Sequence, residues 1–243
     1  MNAATGLAME GPIGEAELLR VEDFYARRGA TPVLATCPFA DPTLFALLAR
    51  RSWQVTEFEN VLVLELRAAA EAAAPPLQGA AEAPEAAPAA GALRGSAEPL
   101  GPALPPGVEV RVCDESERSL WGQVAARGFC SEAEPGPGHL EFGDIMAAHL
   151  TYTLVLARVA GRPAGTGALA VVGDVAWLSG DTTLPEFRGR GVQQAVQRYR
   201  LQWARDAGCA LAVTEAAAGS GSQRNMERLG FRVVYPHIQY VKV

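Results

Sequence analysis

The residues best able to do chemistry form one short loop rich in arginine and glycine, Arg188-Gly189-Arg190-Gly191-Val192-Gln193. Two glycines let the backbone turn tightly and bring N–H groups close to a ligand. A helix starting directly after them would add a partial positive charge, and two arginines would add charge-assisted hydrogen bonds to phosphate. The spacing therefore predicts a site for a phosphate or pyrophosphate group. The loop alone also allows a plain structural turn before a helix.

Two other phosphate-binding loops do not fit this spacing. A Rossmann fingerprint needs a third small residue three positions after Gly191, where the chain has Gln194. A P-loop ends in Gly-Lys-Ser/Thr, but the one lysine of the chain is Lys242. If the loop binds phosphate, it does so in another structural setting.

The elements that must position this loop follow from periodicity. Val192, Val196, Tyr199 and Trp203 lie on one helical face, which predicts a helix over 191–207 ending at Gly208. Alternation and turn residues predict strands at 108–112, 153–159, 165–172, 175–183, 210–214, 232–235 and 238–243, and helices at 116–127 and 141–150. A short helix should follow with Ser222 as its N-cap. The fold class expected is α/β (α+β), with a mixed, mostly antiparallel central sheet flanked by helices.

The order of strand, loop, amphipathic helix, apolar strand and short capped helix resembles the GNAT superfamily of N-acetyltransferases over residues 107–243. Its signature, Arg/Gln-x-x-Gly-x-Gly/Ala, is matched at Arg188 and Gly191, whereas Gln193 stands at the last position. The segment 227–231, Glu-Arg-Leu-Gly-Phe, is close to the Glu-Lys-Leu-Gly-Phe of many members.

The resemblance implies that acetyl-CoA binds in a gap between two splayed parallel strands, at 175–183 and 210–214. The pantetheine arm would pair with main chain at Asp181, Thr182 and Thr183, and Ser222 and Asn225 would lie on the CoA side. The pyrophosphate would meet the loop residues Arg188, Gly189, Arg190, Gly191, Val192, Gln193 and Gln194. An N-cap role for Ser222 and a solvent-facing position for Asn225 stay open as alternatives.

In this family an amine attacks the thioester directly, so a group must first take the proton of the ammonium. Catalytic residues are not assigned, but the candidates are Asp181, Glu215 and Tyr235. His149, Tyr152 and His237 are further groups expected on the amine side, and Glu186 is expected on the loop surface. The tyrosine that commonly protonates the departing thiolate is replaced by Met226.

The N-terminal part repeats the order of the C-terminal elements. A helix at 15–28, Gly29, a strand at 32–36, a helix capped by Asp41, and Trp53 before a strand ending at 66 repeat the pattern around Gly208 and Phe231. Residues 1–67 therefore read as a degenerate GNAT-like half-domain without an arginine at the loop position, which should not bind CoA. Residues 68–106, rich in alanine and proline, read as a linker, and 107–243 as the complete domain.

Composition limits the partners. The chain has 243 residues, 21 basic and 27 acidic side chains and a formal net charge of -6, which argues against binding to nucleic acid or to anionic membranes. No apolar run approaches a membrane span, the start does not read as a secretory signal, and four scattered cysteines predict buried thiols and no metal. We expect a cytoplasmic monomer or homodimer.

Two functions follow as alternatives. The first is an acetyl-CoA-dependent N-acetyltransferase acting on a primary amine of a small molecule or peptide. The second is a non-catalytic CoA-binding or interaction module with the same fold.

Overall fold

The computed structural model describes residues 3–66, 105–130 and 134–243, so the predicted linker falls outside the described residues except for its last two positions. The helices are α1 (Glu15–Ala26), α2 (Pro42–Arg50), α3 (Arg118–Phe129), α4 (Pro137–Ala148), α5 (Val192–Asp206) and α6 (Gly221–Arg228). The strands are β1 (Val33–Thr36), β2 (Trp53–Glu65), β3 (Val108–Val112), β4 (Thr153–Val159), β5 (Arg162–Val172), β6 (Val175–Thr183), β7 (Leu211–Ala217) and β8 (Arg232–Lys242).

The chain divides into two compact units. One unit comprises Met1–Leu62 together with Glu215–Val243, and the other comprises Val63–Thr214. They are called the terminal unit and the central unit below. The predicted domain boundaries at 67 and 106 concern the repeat in the sequence and stay a prediction.

The central unit carries a mixed sheet in the order β7-β6-β5-β4-β3. Strands β3, β4, β5 and β6 pair antiparallel, whereas β6 and β7 pair parallel. Helices α3 and α5 pack on these strands. This arrangement confirms the predicted fold class of a mostly antiparallel sheet flanked by helices.

Helix α5 lies very close to β5 because the strand has a glycine at the contact. A Cβ atom added at Gly165 would lie 2.8 Å from Cγ1 of Val192 and 2.6 Å from the carbonyl oxygen of Thr182. Of the predicted stripe, Val192, Val196 and Trp203 are buried, whereas Tyr199 is half-buried. The start of α5, and with it the candidate loop, is thereby fixed against the sheet.

The terminal unit is built from α1, β1, α2 and most of β2, together with α6 and β8. Its strands follow the order β1-β8-β2, with β1 antiparallel to residues 238–241 of β8. The helices cover a core of Leu18, Leu34, Leu44, Leu48 and Trp53. Asp41 caps α2 as predicted, by accepting a hydrogen bond of 2.9 Å from the backbone N–H of Thr43.

The internal repeat is visible in the element order. The succession α1, β1, α2, β2 recurs as α5, β7, α6, β8. The turns before the last strand also correspond, because Ser52 and Gly230 both have a positive φ, of 57° and 96°, and each precedes a buried aromatic residue, Trp53 or Phe231. A non-glycine residue seldom adopts this backbone.

Two predicted details of the C-terminal elements are wrong. The N-cap of α6 is Ser220, whose Oγ accepts a hydrogen bond of 3.1 Å from the N–H of Gln223, while Ser222 lies inside the helix. The last two predicted strands are one continuous strand, β8, that runs through Pro236. β1 pairs with residues 238–241 of β8, so Pro236 lies outside the pairing with β1.

Within the described residues, every helix is too short or too polar to cross a membrane.

Candidate functional site

The predicted phosphate loop lies at the start of α5 in the central unit. Gly189 and Gly191 both have left-handed backbones, with φ of 74° and 75°. Gly191 is the N-cap. The first hydrogen bond of the helix runs from the N–H of Ala195 to the carbonyl oxygen of Gly191, at 3.0 Å. Because a glycine N-cap has no side-chain oxygen, the N–H groups of the first turn are not capped by that residue. This is the geometry in which a helix N-terminus receives an anion.

Positive charge surrounds the same loop. Arg188 and Arg190 are exposed, and the guanidinium carbons of Arg190 and Arg162 lie 5.7 and 5.2 Å from the ring centre of the buried Phe187. Glu186 lies on the surface, as expected, and pairs with Arg127 at 3.6 Å. The loop therefore presents two exposed arginines, and the charge of its carboxylate, Glu186, is compensated by Arg127.

The equivalent position in the N-terminal repeat is occupied by acid. Helix α1 also starts after a glycine, Gly14, but its first turn holds Glu15 and Glu17. The carboxylate of Glu17 accepts a hydrogen bond of 3.0 Å from the N–H of Gly14. A negative side chain thus takes the place that a phosphate would need. That this copy does not bind CoA stays a prediction.

The edge of β6 opens just before the loop. Parallel pairing between β6 and β7 ends at Leu178 and Thr214, where Thr214 Oγ1 donates to the carbonyl oxygen of Leu178 at 3.1 Å. Strand β6 continues to Thr183, paired with β5 on its other side and irregular around Gly180. The main chain of Asp181, Thr182 and Thr183 therefore lies past the last parallel pair, at the position that the resemblance implies for the pantetheine arm.

The side chain of Asp181 is engaged in a buried ion pair. Arg200 of α5 is completely buried and donates to Asp181 as well as to the carbonyl oxygens of Ala168 and Ser179, at 2.7 and 2.8 Å. Gln197 donates to the same carboxylate at 2.8 Å. Burial raises the pKa of Asp181 above its ordinary value and the charge of Arg200 opposes the rise. This carboxylate serves to compensate a buried guanidinium.

Glu215 lies in a cluster of the terminal unit. Nδ1 of His237 lies 2.8 Å from Oε1 of Glu215, and a carboxylate oxygen of Glu59 lies within 4.8 Å of both. The hydrogen bond with Glu215 raises the pKa of His237, with the charges of Glu59 and Glu57 adding to the rise. We call these three residues the Glu59–Glu215–His237 cluster. An imidazole held by a carboxylate is suited to accept a proton near neutral pH.

Part of the C-terminal half of the chain matches a protein-family model. Residues 123–231 match the model of the acetyltransferase (GNAT) family. This part of the chain is a GNAT-like domain. The match supports acetyl transfer as the general activity. No curated protein matched the sequence.

Solved structures show the same fold over nearly the whole chain. A GCN5-related N-acetyltransferase from Kribbella flavida is 20% identical, with a TM-score of 0.62 over 95% of this chain and 77% of that one. One from Sphaerobacter thermophilus is 13% identical, with a TM-score of 0.61 over 93% and 67%. A tandem GNAT protein of the clavulanic acid biosynthesis pathway, 13% identical with a TM-score of 0.61 over 93% and 68%, supports the internal repeat.

Other residues predicted for the site lie on α6 and after α4. Ser222 and Asn225 lie on α6, and Asn225 accepts a hydrogen bond of 2.7 Å from Arg228. His149 is exposed after α4, and its ring centre lies 4.9 Å from that of Tyr152. Met226 is buried to 1% exposure, so the position of the usual tyrosine belongs to the core.

Two residues of the candidate site were missed in the sequence. Arg200 stands four positions after Val196, on the apolar face of α5, and an arginine at such a position signals a buried partner. Glu59 gave no signal, since it comes from the N-terminal repeat and meets Glu215 and His237 only through tertiary structure. Three of the four cysteines are buried, as predicted, whereas Cys113 is half-buried.

Proposed function

We propose that the protein is an acetyl-CoA-dependent N-acetyltransferase that acetylates a primary amine of a small molecule or peptide. The observation that carries the proposal is the cradle at the start of α5, where two left-handed glycines, the second of them the N-cap of the helix, follow a strand whose parallel pairing has ended. The family match at residues 123–231 gives the class of chemistry.

The residues present fit coenzyme A. The N–H groups at the start of α5 and the two arginines suit a pyrophosphate. The open edge of β6 suits the amide groups of pantetheine, and the buried hydroxyl of Thr183 has no hydrogen-bond partner in the described part of the chain. A ligand amide beside this strand would satisfy it. Acetyl-CoA would supply an activated acetyl group as a thioester.

We assign the proton-accepting role to Glu215 acting with His237. An ammonium has no lone pair and must lose a proton before it attacks. Asp181 is unsuited, because its charge is needed beside the buried guanidinium of Arg200. Glu215 and His237 lie 2.8 Å apart and are only about three-quarters buried, so an amine has access to them. Tyr235 is a third candidate, on the same strand as His237.

Calorimetry with acetyl-CoA tests the proposal directly. We expect binding by the wild-type chain and its loss in Arg188→Glu and in Gly191→Trp. Arg232→Glu, an exposed charge reversal on β8, is the matched control and should bind as the wild type does. Absence of wild-type binding at millimolar acetyl-CoA would end the proposal.

The alternative, a CoA-binding module without catalysis, is favoured by one observation. Met226 replaces the tyrosine and is buried, so no proton donor for the thiolate stands at that position. Release of free thiol from acetyl-CoA in the presence of amines separates the two functions. Binding of CoA with no amine-dependent thiol release would support the module.

A further inference from the structure

The Glu59–Glu215–His237 cluster combines side chains from three strands and from both copies of the repeat. Glu59 comes from β2, in the N-terminal copy, while Glu215 and His237 come from β7 and β8. Their oxygen and nitrogen atoms lie within 4.8 Å of one another, and all three residues are half-buried. The degenerate copy, which lacks a phosphate loop, thus contributes a polar group of its own.

The charges in and beside this cluster do not balance. Glu57, also half-buried on β2, acts electrostatically on both Glu59 and His237. Three carboxylates therefore face one imidazole, and no ion pair among the described residues involves Glu57 or Glu59. Burial, followed by the charge of Glu215, raises the pKa of Glu59. A ligand with positive charge would relieve this repulsion.

Aromatic rings lie next to the same carboxylates. Tyr235 and His237 are two residues apart on β8 and so share one face of the strand. Burial raises the pKa of Tyr235, and the charges of Cys37 and Glu215 add to the rise. Phe39 packs edge-on against Tyr235, with ring centres 5.1 Å apart, yet is 65% exposed. Aromatic faces attract organic cations, whereas Mg²⁺ and Ca²⁺ take oxygen ligands, so the surroundings favour an alkylammonium over such a metal ion.

We infer that the Glu59–Glu215–His237 cluster binds an acceptor amine that carries a second positive charge, and that Glu59 of the N-terminal repeat selects it. The inference rests on the proposed function. The reacting ammonium gives one proton to the Glu215–His237 pair, and the second cation pairs with Glu59 and Glu57. The amine nitrogen then forms its bond to the acetyl carbonyl carbon, and the C–S bond breaks with its electron pair on sulfur. One of the two protons left on the nitrogen passes to the thiolate, and the other stays on the amide.

Three amines of equal chain length measure the selection. Thiol release from acetyl-CoA is followed with 1,4-diaminobutane, butylamine and 4-aminobutanoate, which differ in net charge. We expect kcat/KM to be about tenfold higher for the diamine than for butylamine, and lowest for the amino acid. Equal values for the three amines, at unchanged acetyl-CoA binding, would overturn the inference while leaving the proposed function intact.

Substitution of Glu59 shows whether the N-terminal repeat is responsible. In Glu59→Gln we expect KM to rise about tenfold more for the diamine than for butylamine, with acetyl-CoA affinity retained. Glu65→Gln, at the exposed end of the same strand, is the control and should change neither value. An equal loss for both amines would mean that Glu59 supports the structure rather than selecting the substrate.

Binding without turnover gives a second readout on the unaltered chain. Calorimetry with 1,4-diaminobutane in the presence of CoA should show binding that butylamine does not reproduce.

Zn²⁺ is titrated in parallel, because two carboxylates and an imidazole are also metal ligands. One-to-one Zn²⁺ binding that is lost in Glu59→Gln, together with no preference for the diamine, would show that the cluster is a metal site and would overturn the inference. If acetyl-CoA itself fails to bind, the proposed function fails first.

Discussion

The guanidinium of Arg200 donates to the carboxylate of Asp181 where β6 leaves its parallel pairing with β7. Arg200 is completely buried and also donates to the carbonyl oxygens of Ala168 on β5 and Ser179 on β6. One side chain of α5 thus binds main chain of two strands at the irregular part of β6. The ion pair connects the helix that begins at the phosphate loop to the strand edge proposed for pantetheine.

Asp181→Asn should destabilise the protein without altering the chemistry. Removal of the carboxylate leaves a buried guanidinium uncompensated, which costs about 3 kcal/mol. We expect this loss in the free energy of unfolding measured with urea, and an unchanged pH profile of activity at a temperature where the variant is folded. A pH profile that loses its ascending limb would instead make Asp181 the base.

The double variant Asp181→Leu with Arg200→Met separates charge from packing. Replacing both partners by apolar groups removes the uncompensated charge. The double variant should therefore be more stable than Asp181→Asn, and a double variant less stable than the single one would contradict the ion-pair explanation.

Local pattern made most of the fold and the phosphate loop predictable. The α5 stripe of Val192, Val196 and Trp203 is a property of consecutive residues, and the glycines at 189 and 191 precede it directly. The N-cap of α6 was misplaced because Ser220 and Ser222 are both suitable capping residues, and only the hydrogen bond to Gln223 distinguishes them. Likewise, Pro236 indicates a break between two strands unless it is known that the neighbouring strand β1 pairs only with residues 238–241.

The amine side could not be predicted in the same way. Glu59 meets Glu215 and His237 through the tertiary arrangement of three strands, and no local pattern marks it. Asp181 was chosen for its place before the loop, but its partner Arg200 depends on the way α5 packs over β5 and β6.

Gly191→Ala should weaken acetyl-CoA binding more than Gly189→Ala. Both substitutions place a side chain at a positive φ, which costs about 1 kcal/mol or more. Only at Gly191 would the new Cβ also meet a neighbour, Cγ of Pro105 at 2.7 Å, while nothing lies within 4 Å at Gly189. Calorimetry gives the two dissociation constants.

Adding Pro105→Gly to Gly191→Ala tests the steric part of this effect. The double variant should recover affinity toward that of Gly189→Ala. If it binds as weakly as Gly191→Ala alone, the contact with Pro105 is irrelevant and the backbone cost is the whole effect.

Glu22 should stabilise the terminal unit in a pH-dependent way. Its carboxylate accepts hydrogen bonds from Arg51, Lys242 and Trp53, and the bond from Arg51 contributes most to lowering its pKa to about 2. A lowered pKa gives stability that is complete above the unfolded value, about 4.3, and that disappears as the pH falls through the folded value.

We therefore expect Glu22→Gln to lower the free energy of unfolding by about 2 kcal/mol near neutral pH, allowing for solvent screening. The difference from wild type should shrink steadily below about pH 4. Urea unfolding at several pH values measures it, with the exposed Glu10→Gln as control. A difference independent of pH would rule out the ionised carboxylate as its source.

Glu215→Gln should move the pH dependence of acetyl transfer. The carboxylate of Glu215 is the largest cause that raises the pKa of His237, and a base must be unprotonated to accept a proton. In the wild type, kcat/KM should rise with pH through a value above the ordinary pKa of histidine, about 6.5. Without the carboxylate this limb should shift to lower pH and the maximal rate should fall, because the imidazole is a weaker base and is no longer oriented. His237→Gln should abolish the limb. A limb that stays in place in both variants would assign the proton transfer to another group.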